Sequence, residues 1–116
     1  MQDERLLNIA PYLAGREGFG ALIKSFKDGH VIVGSASSLK GVERLVNDEP
    51  KPTVAFVQDF LDFEETKAIV SRLKQLFPGI VVATIGTDQQ IENADRQFSS
   101  SEGLHDIANF LLNLKR

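Results

Sequence analysis

The stretch Pro52–Asp62, "PTVAFVQDFLD", places residues that differ sharply in chemistry at the end of one apolar run. Thr53 to Val57 reads as a buried strand, and it ends on Gln58 followed by Asp59. A carboxylate held at a strand end is a nucleophile able to form a covalent intermediate such as an acyl phosphate. An amide has no anionic oxygen and cannot do this. Which of the two residues occupies the strand end therefore decides whether a site exists. The segment "DFLDFEE" adds Asp62, Glu64 and Glu65. Such oxygens suit a hard cation, but an acidic first helical turn explains them more simply, with Asp62 and Glu65 at capping-box spacing. His30 and His105 have no partner at metal-ligand or triad spacing and read as structural. "GREGFG" (Gly15–Gly20) is not the G-x-G-x-x-G dinucleotide fingerprint. "SSSE" (Ser99–Glu102) reads as a helix cap before it reads as an anion cradle. The chain has no cysteine, which excludes disulfides, thiolate metal sites and cysteine nucleophiles. The residues point to no catalytic set, no metal site and no cofactor.

The elements that must position these residues follow from periodicity. "RLLNIA" is a short apolar run, with Asn8 a poor resident of a buried strand. Phe19, Leu22, Ile23 and Phe26 recur at helical spacing, and Gly29 ends that helix. "HVIVG" is a β-branched strand. Leu39, Val42, Leu45 and Val46 make the face of a second helix capped by Ser37 or Ser38. "EPKP" breaks the chain before the strand that leads to Gln58. Ile69, Val70, Leu73, Leu76 and Phe77 form the stripe of the clearest helix, which Pro78-Gly79 stops. "IVVATI" is a further apolar strand. The polar segment Gly86–Glu102 follows, in which Phe98 closes a short strand. A last helix turns Leu104, Ile107, Leu111 and Leu112 inward, with Ser99 and Glu102 at capping-box spacing before it. Strands that are apolar throughout, alternating with amphipathic helices, imply a doubly wound α/β fold: one five-stranded parallel sheet with helices on both faces. The polar segment is longer than most connections, so it is functional or mobile.

With 116 residues, 42% of them hydrophobic, the chain has the size and composition of one domain spanning 1–116. Its net charge of -3 argues against a nucleic-acid surface, and Lys24, Lys27, Lys115 and Arg116 are too few to reverse that. The N-terminus lacks a signal peptide's apolar run, and no stretch has the ~20 apolar residues of a membrane span. The expected location is cytoplasmic.

At the strand ends, where such sheets bind ligands, the sequence resembles a known family. "ERLLNIAPYLAGREGFGALIKSF" is similar to the opening of response-regulator receiver domains of the NarL/LuxR-type branch. The matches are Arg5-Leu6-Leu7, Ile9, Leu13, Arg16-Glu17-Gly18 and Ala21-Leu22. "VIVGSASSLKGVERLV" and "PTVAFVQDFLDFEETKAIVSRLKQLFPGIVVATIG" resemble the next strands and helices, and the likeness covers residues 4 to 86 and resumes near Ala94. The "REG" start and the "LFPGI" corner are its more specific motifs. The family implies an acidic pair that holds Mg²⁺, a phosphoacceptor Asp, a Thr or Ser after the fourth strand and a Lys after the fifth. Here the acidic pair falls on Ala10 and Pro11, the acceptor on Gln58, the Thr/Ser position on Gly86 (with Thr84 and Thr87 flanking) and the Lys on Ser99-Ser100. Asp59 becomes the acceptor only if the third strand slips by one residue, which would turn every side chain to the other face. The family's fourth helix has no room between Gly86 and Ala94, so it is missing or shortened. The resemblance implies a receiver fold without receiver chemistry, a pseudo-receiver.

The expected function is a non-catalytic signalling domain of a two-component type, acting by dimerisation or partner binding without aspartyl phosphorylation. It would be the control domain of a transcription regulator or a stand-alone adaptor. If the natural gene continues beyond "NLKR", a DNA-binding helix-turn-helix is expected there, and this domain itself touches no nucleic acid. The family pairs through its first and last helices or around its fourth and fifth. The missing helix favours the first surface, the regions Phe19–Phe26 and Leu104–Leu114, as a homodimer interface. A switch other than phosphate is then needed: a small ligand near Tyr12, Gln58 and Gly86, constitutive dimerisation, or ordering of the polar segment on a partner. The alternative is a small flavodoxin-like ligand-binding protein or enzyme using the same strand ends.

Overall fold

The strands are built from the continuous apolar runs. In the computed structural model, which describes residues 5–11, 17–21, 31–58, 63–86, 89–99 and 103–114 (Leu104 by its backbone alone), the chain order is β1 (Arg5–Ile9), helical residues 17–21 (α1), β2 (Val31–Ala36), α2 (Leu39–Arg44, continued by a 3₁₀ turn over Leu45–Asn47), β3 (Val54–Gln58), α3 (Phe63–Leu76), β4 (Val81–Ile85), β5 (Arg96–Phe98) and α4 (Leu104–Leu112). The strands form one sheet in the order β2-β1-β3-β4-β5, every neighbouring pair parallel. The chain moves from β1 outward to β2, then returns past β1 to β3. The switch point therefore lies between the carboxyl ends of β1 and β3, where doubly wound sheets open a crevice.

Alternation along each strand splits the core in two. Leu7, Ile9, Ala55, Val57 and Val82 face one side, where Val42 and Leu45 of the α2 region and Ile69, Val70 and Leu73 of α3 cover them. Leu6, Val54, Phe56, Ala83 and Phe98 face the other, against Phe19 of α1 and Ile107 and Leu111 of α4. Aromatic contacts bind this second layer: Phe19 to Phe56 at 4.9 Å and Phe98 to Phe110 edge-on at 5.6 Å between ring centroids. Each fully buried side chain of this kind is worth about 1.5–3 kcal/mol of transfer free energy, so both faces are needed to offset chain entropy.

Helix ends follow their local chemistry. Ser38 caps α2, its Oγ accepting from the Gly41 N–H at 3.2 Å. Gly41 is also where α2 meets β2, since a Cβ there would lie 3.1 Å from the Ala36 Cβ. Phe77 N–H still reaches Leu73 O, and Gly79, at φ 88°, stops α3. The expected Asp62–Glu65 cap lies outside the described residues. Two expectations for the last helix are corrected. Its cap is Gly103, whose N–H donates to Asp106 Oδ2 at 3.0 Å, rather than Ser99 with Glu102. Phe98 still belongs to β5, so the chain must clear the sheet before it can turn into a helix. Leu112 does not face inward but is 55% exposed. Ile107 and Leu111, four residues apart, define the buried direction, and the next residue lies ~100° further round the helix.

Between β4 and β5 the described residues, 86 and 89–95, contain no helix, as expected from the missing length. The described part of this segment is held in place. Ile91, only 2% exposed, sits in the α3-side core. Gln97 accepts from the Ile91 N–H at 2.8 Å and donates to Gln89 O at 2.9 Å. Asp95 accepts from the Val82 N–H and pairs with Lys74. Among the described residues, Ile91 with Ala94 packed against the same core, and two polar staples, cover this end of the sheet.

Candidate functional site at the strand ends

The carboxyl ends of the central strands bring together Asn8, Ala10, Pro11, Gln58 and Gly86. Gln58 is the last residue of β3, with Val57 opposite Thr84 and Gln58 opposite Ile85 on β4. On its other side β3 pairs Phe56 with Asn8 and Val57 with Ile9. Asn8 and Gln58 therefore stand on one face of the sheet, diagonal neighbours across the switch point. Gln58 Nε2 donates to Asn8 Oδ1 at 3.3 Å. Asn8 is 2% exposed, so its amide must be satisfied by protein, and Gln58 supplies one of its partners.

Ala10 is buried, and its N–H donates to Ala36 O at 3.0 Å, extending the β1–β2 pairing by one step. Pro11 is half-buried beside it. Neither side chain offers a donor atom to a cation. Gly86 has φ 91°, in the left-handed region, and its N–H donates to Phe98 O at 2.8 Å. A Thr or Ser would be strained in that conformation. Thr84, two residues earlier, is fully buried, and its hydroxyl has no hydrogen-bond partner among the described residues. Opposite Val57 and one step out of phase with Gln58, it points to the opposite face from the amide pair. Ser99 follows β5 and is half-buried. Asp59, Tyr12, Thr87 and Ser100 lie outside the described residues, as do Leu22–Phe26 and the side chain of Leu104. His105 is exposed on α4, and no described cluster of three or more His, Asp and Glu residues could hold a metal.

Among the described residues at these strand ends, none offers the carboxylate oxygens of a Mg²⁺ site of the kind the resemblance implies. Mg²⁺ asks for carboxylate oxygens in octahedral array. Residues 10, 11 and 58 carry a methyl, a pyrrolidine ring and an amide, and the Asn8 oxygen already accepts a hydrogen bond. What the arrangement can do is tie β1 to β3 across the crevice with a neutral pair.

On sequence alone Asn8 is only a residue ill-suited to a buried strand. The missed signal was that two amides interrupt the two central apolar strands. A buried polar residue must find a partner, and the register required to join them was not visible in one dimension.

No family model matches the sequence, and no curated protein matches it. Solved structures do match. The receiver domain of a CheY-like response regulator from Methylobacillus flagellatus superposes with a TM-score of 0.77 at 15% identity, covering 98% of this chain and 100% of that one. A LuxR-family two-component response regulator from Aurantimonas sp. SI85-9A1 gives 0.75 at 16% identity over 98% of this chain and 89% of that one. A protein described as an adenylate cyclase from Rhodopirellula baltica gives 0.76 at 12% identity over 96% and 86%. At such identities the shared property is the fold: a five-stranded parallel receiver-like α/β sheet.

Proposed function

We propose that this chain is a signalling module of the receiver fold that works by self-association or partner contact rather than by aspartyl phosphorylation. The observation that carries the reading is the neutral pair Asn8–Gln58 at the switch point, beside Ala10 and Pro11. Aspartyl phosphorylation needs a carboxylate nucleophile and a cation to neutralise the incoming phosphate, and these positions supply neither. The fold shared with response-regulator receivers supports a regulatory role, including that of a control domain in a transcription regulator. The reading assigns no enzymatic activity to the domain, a cytoplasmic location and no nucleic-acid contact of its own. No described helix is long and apolar enough to cross a membrane.

Intact-mass spectrometry after incubation with acetyl phosphate and Mg²⁺ tests the reading. No phosphoryl adduct is expected in the wild type. An adduct that disappears in Asp59→Asn would overturn it. A thermal-shift screen with nucleotides and flavins addresses the ligand-binding alternative, because a ligand that binds only the native state must raise Tm.

A further inference from the structure

The connection from β4 to β5 is held firmly at its ends and lightly between them. At one end the Gly86 N–H donates to Phe98 O at 2.8 Å. At the other, Asp95 grips β4 twice: its N–H donates to Val82 O at 2.8 Å, and its Oδ2 accepts from the Val82 N–H at 2.9 Å. The same oxygen pairs with Lys74, whose Nζ also donates to Ile80 O at 2.8 Å, so the last turn of α3 shares this anchorage. Residues 89–94 form a strap between these ends. Among the described residues, the side chain of Gln97 supplies the strap's hydrogen bonds to the sheet, accepting from the Ile91 N–H and donating to Gln89 O. Ile91 is the strap's buried side chain, with Ala94 partly buried beside it. The turn, closed by the Ala94 N–H to Ile91 O at 3.4 Å with Asn93 at φ 75°, borders a cleft of about 490 Å³ whose other wall is Ser71, Lys74 and Gln75 of α3. The strap therefore has free space on its α3 side.

Thr84 lies opposite Gln97 in the β4–β5 register, so the two side chains share the sheet face on which Ile91 sits. Thr84 is fully buried, and its hydroxyl has no partner among the described residues. A hydroxyl kept dry and unpaired costs free energy that water would return. Closing the strap buries Ile91 and makes two hydrogen bonds to one side chain, while opening it hydrates Thr84. Segments with so few buried apolar contacts open at free energies far below that of global unfolding. We infer that residues 89–94 are a hinged cover, which opens as a unit while the sheet and α3 stay folded. The Asp95–Val82–Lys74 cluster is the hinge, and Gln97 is the latch. The open form exposes a recess that the closed form lacks: the seat of Ile91, with the Thr84 hydroxyl and the Gln97 amide beside it. This goes beyond the proposed function by placing a change of state in the fold that needs no phosphoryl group.

Native-state hydrogen exchange across a urea series tests the inference on the full chain. The Ile91 amide, which donates to Gln97, reports the latch. Its opening is expected to depend weakly on urea, because little surface is exposed, whereas Val57 in β3 and Ile69 in α3 should show the steep dependence of global unfolding. Thr84→Val removes the hydroxyl that opening would hydrate, and should slow exchange at Ile91 by about threefold to fivefold. Gln97→Glu keeps the acceptor for the Ile91 N–H and loses the donor to Gln89 O, and should accelerate it by about tenfold. A urea dependence at Ile91 as steep as at Val57 would overturn the cover, since the strap would then open only with the whole fold. An Ile91 rate unchanged by Thr84→Val would overturn it as well, since opening would not reach the hydroxyl. The urea series on the wild type needs no variant, and no phosphoryl donor enters either measurement, so the mass-spectrometric test stands apart from both.

Discussion

The Asn8–Gln58 contact is a hydrogen bond between two neutral groups in a largely dry place, and its net worth is about 1 kcal/mol. Its removal from one side costs more than its presence contributes, because Asn8 stays buried. Gln58→Leu is expected to lower stability by roughly 1–3 kcal/mol in urea denaturation. The double-mutant cycle of Asn8→Ala with Gln58→Ala should show a coupling of about 0.5–1.5 kcal/mol, and a coupling indistinguishable from zero would dissolve the pair. Thr84 presents the reverse case. Its buried hydroxyl lacks a described partner, so Thr84→Val removes a desolvation penalty and is expected to leave stability unchanged or raise it by up to ~1 kcal/mol. A clear loss of stability would show that the hydroxyl is satisfied after all. At Gly86, φ 91° makes any side chain costly. Gly86→Thr should destabilise the fold by about 1–2 kcal/mol, so the hydroxyl that the family resemblance expects at this position cannot be installed there without strain.

Among the elements, the β4–β5 connection shows most clearly how tertiary contacts replace a missing helix. Its composition is polar, with Ile91 the sole aliphatic residue larger than alanine in the notably polar run from Gly86 to Glu102. That one residue is the anchor. Ile91→Ala should cost about 2 kcal/mol, the lower end for an aliphatic truncation, because a surface connection can partly collapse into the space left. Gln97→Ala removes the acceptor for Ile91 N–H and the donor to Gln89 O together. Hydrogen exchange is expected to accelerate at residues 89–95 in that variant while α3 keeps its protection. Uniform acceleration across both would mean that the staple supports the whole fold rather than the segment.

The whole molecule is a receiver-like sheet with its helices on both faces, a neutral Asn8–Gln58 pair at the switch point and a groove at its β5 edge. These features are spatially separate. The amide pair lies between β1 and β3, and the groove lies beyond β4, on the far side of the sheet order. Substitutions at one are therefore expected to be additive with those at the other. A combined Gln58→Leu/Arg96→Ala variant should show the stability changes of the two single variants summed, as read by denaturation. A departure from additivity well above ~0.5 kcal/mol would indicate that the switch point and the edge communicate.

The sequence by itself determined the strand and helix periods, the doubly wound class and the amide, rather than a carboxylate, at the end of the third strand. These are properties of local pattern and of residue type, and both can be read along one dimension. Only the tertiary structure decided that Asn8 and Gln58 meet, that Ile91 is an anchor, that Leu112 faces outward and that Arg96 and Asp106 share one groove. Residues 50 apart in Asn8 and Gln58 become neighbours solely through the β1–β3 register. Register is set by the summed packing of both sheet faces, a quantity that no single stretch of the chain contains.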